Sequence, residues 1–265
     1  MENTAVKNKS DAVREKLIVA LDYDNADEAD VLVKKLGSLV SVYKVGLEIF
    51  LRTKGSIVER LHAQHKKVFL DLKFHDITNT VVQSCLFAAE QNVFMFNIHC
   101  ANGEKTMEAV SRMLKERSSK SLCIGVTVLT NLCDEDMKIF YGERFNTAQT
   151  VEAMAEAVKR SGLHGIVCSA HEAAAVKKQF GKDFVTVCPG VRPAEVQKFD
   201  SARKEDQSRV MTPYEAVKAG ADYLVVGRPV TQSTNPEQTV RLILDEIRAA
   251  VGMESGTGIG TKNRR

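Results

Sequence analysis

Residues 68–80 read VFLDLKFHDITNT, and the reading of the fold starts from them. Apolar and β-branched residues make a strand of 67–73, and a helical period takes over at 79–91. Alternation puts Phe69, Asp71 and Lys73 on one face of that strand and Leu70 and Leu72 on the other. Leucines suit a face covered by helices, so the charged pair points the opposite way. The same unit recurs in both directions along the chain. Strands are expected at 17–22, 42–46, 94–99, 121–127, 164–169, 184–188 and 222–227 as well. The helices are expected at 26–38, 56–65, 79–91, 103–117, 147–161, 171–180, 212–219 and 236–250. The last has a start signal: Asn235 as cap, Pro236 in the first helical position, and Gln238 placed for a capping box. Strand then helix, eight times over, predicts an α/β chain folded as a single-domain (β/α)8 TIM barrel. A doubly wound open sheet is the alternative, because periodicity does not show closure.

The chain has 265 residues, 44% of them hydrophobic, which suits one large domain with a substantial core. The domain expectation is a polar extension over 1–16, a catalytic barrel over 17–251 and a disordered tail over 252–265. The tail's GTGIG neither follows a strand nor opens a helix, so it is not read as a phosphate loop. Its terminal KNRR reads as a solubilising tail. Lys and Arg total 37 against 34 Asp and Glu, a formal charge of +3. That balance argues against a surface built to neutralise a nucleic-acid backbone. The leading residues lack an apolar leader and no run is long enough to cross a bilayer, so the expectation is a cytoplasmic protein. Six cysteines are scattered without a C-x-x-C pair, which reads as reduced core thiols.

In a barrel the chemistry gathers at the C-terminal ends of the strands. There Asp71 and Lys73 face the mouth, Asp76 follows in the loop, and Lys44 in VYKVG points the same way. One Asp–Lys pair alone reads equally well as a self-satisfied buried ion pair. Two lysines and two aspartates at one mouth favour a function. The seventh strand runs into CPGVRP with Arg192, and the eighth into VGRPVTQS with Gly227 and Arg228. Loops at those two positions commonly hold phosphate, with glycine allowing close approach and arginine presenting a fork of donors.

The D-x-K-x-x-D of Asp71, Lys73 and Asp76 resembles the signature of the orotidine 5'-phosphate decarboxylase family. VALDY, YKVG, NIHCANG, TVLT, PGVRP and GRPVTQS are similar to that family's other segments, in the same order from about Leu17 to Leu244. The resemblance implies a cofactor-free, metal-free enzyme that converts orotidine 5'-phosphate to uridine 5'-monophosphate and CO2 in pyrimidine biosynthesis. It implies Lys73 as proton donor within a charge array of Lys44, Asp71, Lys73 and Asp76. It implies a homodimer in which Asp76, Ile77 and Thr80 reach the partner's site. Asp22 matches a ribose ligand, Thr130 a residue facing the pyrimidine, and Arg192, Gln207, Gly227 and Arg228 the phosphate side. The chain departs from the family in having Asn131 after Thr130, where a serine is expected, and in a longer loop from Pro193 to Asp206. Closure of that loop over the phosphate is a further expectation.

Two rivals share the barrel. One is a sister enzyme that acts on sugar phosphates through a magnesium-stabilised enediolate, with an acidic ligand where this chain has Lys44. The other is a silent phosphate-binding scaffold, which the fold alone does not exclude. His62 and His65, expected on one helix, lack a third ligand and read as a solvated face. His75 and His99 at the mouth are expected only to support the charges.

Overall fold

The eight strands pair in chain order, each parallel to the next, and the eighth pairs back to the first. They are β1 (Leu17–Ala20), β2 (Val42–Gly46), β3 (Lys67–Phe74), β4 (Met95–His99), β5 (Leu122–Val126), β6 (Gly165–Val167), β7 (Val185–Pro189) and β8 (Tyr223–Val226). The ring is closed, so the open-sheet alternative falls and the TIM barrel stands. The computed structural model describes residues 11–129, 132–195 and 211–252.

Eight helices lie where the period places them, each within two residues at either end. They are α1 (Ala26–Leu36), α3 (Ser56–Ala63), α4 (Thr78–Glu90), α5 (Glu104–Glu116), α7 (Thr147–Ser161), α8 (Ala170–Phe180), α9 (Pro213–Lys218) and α11 (Pro236–Ala250). Others among the described residues were not expected, including α2 (Leu47–Arg52), α6 (Asp134–Tyr141) and α10 (Arg228–Thr231). The cap on α11 forms as read, since the Asn235 side chain accepts from the Gln238 N–H. Gln238 does not close the reciprocal box; its Oε1 accepts from Asn235 Nδ2 instead, at 3.3 Å.

Two apolar layers follow from strand alternation. The outward residues, among them Val19, Val45, Leu70, Phe96 and Ile98, join the helices in one large core. The inward residues Ile18, Ala20, Val42, Phe69, Met95, Ile124, Val187 and Val225 plug the barrel. Ordered contacts begin before β1. Residues 11–15 are helical, Val13 is buried in the outer core, and Glu15 pairs with Lys67 at 2.7 Å. The segment expected as a polar extension therefore touches the barrel from residue 11 on.

Five of the six cysteines are buried, as expected of core thiols, and burial pushes the Cys100 thiol up to about 12. Cys133 is the exception, exposed at the start of α6. The two histidines read as sharing a helix do not. α3 ends at Ala63, and His65 lies beyond it with φ of 56°.

Candidate active site

Two residues beyond the plug on each strand, the same face reaches the mouth. From Ala20, Val42, Phe69 and Met95 that step leads to Asp22, Lys44, Asp71 and Asn97. From Ile124, Val187 and Val225 it leads to Val126, Pro189 and Gly227. One arc of the mouth is thus polar and charged, and the other mostly apolar. Between them lies a cavity of about 230 Å³. Its charged wall is Lys44, Asp71 and Lys73, and its apolar wall includes Val126, Val128, Leu129, Val167, Val187 and Pro189.

The charges alternate in sign along a chain of contacts. Lys44 Nζ stands 3.0 Å from Asp22 Oδ1 and 3.3 Å from Asp71 Oδ2, and Lys73 Nζ stands 2.7 Å from Asp71 Oδ1. The middle pair is the buried one: the Lys44 and Asp71 side chains are 13% and 12% exposed, against 53% for Asp22 and 40% for Lys73. Burial on its own would raise the Asp71 carboxyl. The ammonium groups of Lys44 and Lys73, with hydrogen bonds from Lys73 and Asn97, overcome it and hold the group below the usual carboxylate range. Burial would likewise lower Lys44, and the carboxylates of Asp71 and Asp22 hold it above its ordinary value. Both groups stay ionised, each because of the other.

The reading of Lys73 by simple alternation needs a correction. The β3–β4 register shifts between Leu70 and Phe74, and Lys73 has φ of 50°. A non-glycine residue in that region costs on the order of 1–3 kcal/mol, so neighbours must hold it. Asn97, fully buried, does so: its Oδ1 accepts the Lys73 N–H at 2.8 Å while its Nδ2 donates to Asp71 Oδ1 at 2.7 Å. Asn102 braces the next turn, donating to the carbonyls of Phe74 and His99, each at 2.8 Å, and accepting the Asp76 N–H at 3.1 Å. Sequence reasoning assigned neither asparagine a role. The available signal was Asn97 itself, a polar residue in an inward slot of an otherwise apolar strand.

Asp76 does not join the array of its own chain. It is exposed, its Oδ1 accepts the Ile77 N–H at 2.7 Å, and it makes no ion pair among the described residues. Within one chain the fourth member is Asp22. Ile77 is 74% exposed, and Thr80, on the first turn of α4, is exposed beside it.

On the phosphate side Gly227 precedes α10, which Arg228 opens at the surface. A Cβ at Gly227 would stand 3.1 Å from Asp22 Oδ2, so the missing side chain makes room for that carboxylate. Arg192 follows β7, half-buried, and its N–H donates to the Met211 carbonyl at 3.0 Å. Val191 bridges to Met211, which ties together the two ends of the intervening loop. Thr130 and Gln207 lie outside the described residues. His75 and His99 stack with ring centroids 5.2 Å apart, and burial, then His75 and Lys73, lower the His99 pKa.

The sequence matches the Orotidine 5'-phosphate decarboxylase / HUMPS family over residues 15–243. It is 42% identical to the orotidine 5'-phosphate decarboxylase of Saccharophagus degradans, over 89% of this chain and 97% of that one. The enzyme of the same name from Aliivibrio fischeri is 43% identical, with coverage of 89% and 97%. Among solved structures, the orotidine 5'-phosphate decarboxylase of Lactobacillus acidophilus superposes with a TM-score of 0.76 at 30% identity, covering 88% of this chain and 99% of that one. Barrel, mouth and sequence agree, and the chain belongs to the Orotidine 5'-phosphate decarboxylase / HUMPS family.

Proposed function

We propose that this barrel decarboxylates orotidine 5'-phosphate to uridine 5'-monophosphate, without metal or cofactor, in pyrimidine biosynthesis. The observation that carries the reading is the Lys73 ammonium, held 2.7 Å from Asp71 at the edge of a cavity whose opposite wall is apolar. The pyrimidine ring lies in that cavity with C6 toward Lys73. As the bond from C6 to the carboxylate breaks, its electron pair stays on C6 in an orbital the ring does not delocalise. A fixed cation beside that carbon stabilises the developing charge, and one such preorganised donor is worth roughly 3–4 kcal/mol. Lys73 then passes its proton to C6, and CO2 leaves.

Asp71, 2.7 Å from Lys73 Nζ, keeps that side chain aimed. Asp22 binds the ribose, while Arg192, Gln207, Gly227 and Arg228 take the phosphate, and Thr130 faces the ring. The enzyme works as a homodimer in the cytoplasm. Asp76, Ile77 and Thr80 complete the partner's site. Their exposure on one chain, and the Asp76 carboxylate's lack of an ion pair among the described residues, support that reading. No described helix is long and apolar enough to cross a membrane.

The rival weighed above is the sister barrel that acts on sugar phosphates through a magnesium-stabilised enediolate. Lys44 Nζ fills the place between the Asp22 and Asp71 carboxylates that a divalent ion would need, which favours the metal-free branch. The test is the ultraviolet absorbance of orotidine 5'-phosphate with the enzyme in excess EDTA. Absorbance falls with the wild type and holds with Lys73→Ala, whose loss is at least about 1,000-fold. Loss of wild-type turnover in EDTA, or nucleotide binding without CO2 release, sinks the proposal.

A further inference from the structure

We infer that Asn97 is the positioning residue that sets the proton donor, acting through Asp71 and the backbone of Lys73 rather than on the substrate. The inference rests on the decarboxylase reading and adds to it a residue that touches no reacting atom. Three observations meet at this one side chain. It is fully buried, so both ends of its amide must find partners inside the protein. Its Nδ2 donates to Asp71 Oδ1 at 2.7 Å, the same oxygen that receives Lys73 Nζ at 2.7 Å. Its Oδ1 accepts the Lys73 N–H at 2.8 Å, where β3 leaves its ladder and Lys73 takes φ of 50°.

The amide therefore spans the two residues whose relation matters most. One hand fixes the carboxylate against which the ammonium is aimed. The other fixes the strained backbone from which the ammonium projects. An amide does this at no cost in charge. An aspartate in the same place would keep the acceptor for the Lys73 N–H, lose the donor to Asp71, and set two carboxylates against each other. Alanine would lose both contacts and leave the Lys73 N–H without its partner.

The test is steady-state turnover of orotidine 5'-phosphate by wild type, Asn97→Ala and Asn97→Asp, with pH profiles and thermal unfolding of each. The inference expects Asn97→Ala to lower kcat about 100-fold, as a small displacement of an aimed group does, with KM changed no more than a few-fold. It expects the acid limb of kcat for Asn97→Asp to move to higher pH, since the paired carboxylates compete for a proton. A folded Asn97→Ala with kcat within a few-fold of wild type overturns it. So does an Asn97→Asp profile whose acid limb stays put, and that variant decides if the alanine does not fold. Wild-type protein that fails to turn over the nucleotide brings down the decarboxylase reading itself, and a wild type that succeeds leaves Asn97 judged on its own variants.

Discussion

The two arcs of the barrel mouth are built by the same rule and end differently. On β1 to β4 the residue two places past the apolar plug is Asp22, Lys44, Asp71 or Asn97, whereas on β5 and β7 it is Val126 or Pro189. Neither arc would serve alone. Charges facing water on every side would be screened, and an apolar cup without charges would bind a ring and do nothing to it. Side by side, the apolar wall lowers the dielectric through which the charged wall acts. The charged wall in turn supplies the stabilisation that an apolar wall lacks.

That division of labour predicts a graded set of outcomes. The largest belongs to the charged arc. Asp71→Ala leaves Lys44 buried beside Asp22 alone and Lys73 unaimed, and kcat falls about 1,000-fold in the absorbance assay. Next comes the partner's share. Lys73→Ala and Asp76→Ala are each nearly inactive, yet refolding them together restores about a quarter of the wild-type activity through mixed dimers that hold one intact site. Activity that stays at the level of the separate variants would place Asp76 outside a shared site. Arg228→Ala, farther from the reacting carbon, lowers kcat and raises KM, together about 100-fold in kcat/KM, because binding energy at the phosphate is used in the transition state. A rise in KM alone breaks that link.

The apolar arc answers in stability. Val187→Thr puts a hydroxyl into the plug and costs about 1–3 kcal/mol in urea unfolding. The smallest effect concerns His99, whose folded pKa is lowered by burial, His75 and Lys73. A lowered pKa makes the neutral form the one that folding favours, so its contribution is present above the unfolded value of about 6.5 and is lost as pH falls below it. His99→Asn flattens the pH dependence of the melting midpoint across that interval. Asp71 is lowered as well, so its share of stability is full above the ordinary carboxylate value and is lost as pH falls from that value down through its lowered folded one.

Much of this was legible because strands obey a period of two. Phe69, Asp71 and Lys44 could be placed by counting, and eight apolar runs sufficed for the barrel. What escaped was irregular. The bulge before Phe74 has no alternation signature, so Lys73 was assigned the right mouth by a rule that β3 does not follow there. Asp76 sits in a loop, where no period applies, and was grouped with charges its own chain keeps elsewhere. Asn97 was read as part of an apolar strand, since a single amide hardly alters the pattern of its neighbours. The four-residue helix α10 is too short for a period to declare itself, and α2 and α6 fall between the stretches whose period is plain.

Because Asp22, Lys44 and Asp71 ride two positions past the plug on the strands that carry it, assembling the core and assembling the array are one event. A chain whose barrel has closed in register already holds these charges in place; one that has slipped by a residue has turned them toward the helices and lost its plug as well. A preparation recovered from denaturant should therefore contain fewer competent molecules when refolding goes badly, each working at full speed, rather than a uniform population of sluggish ones.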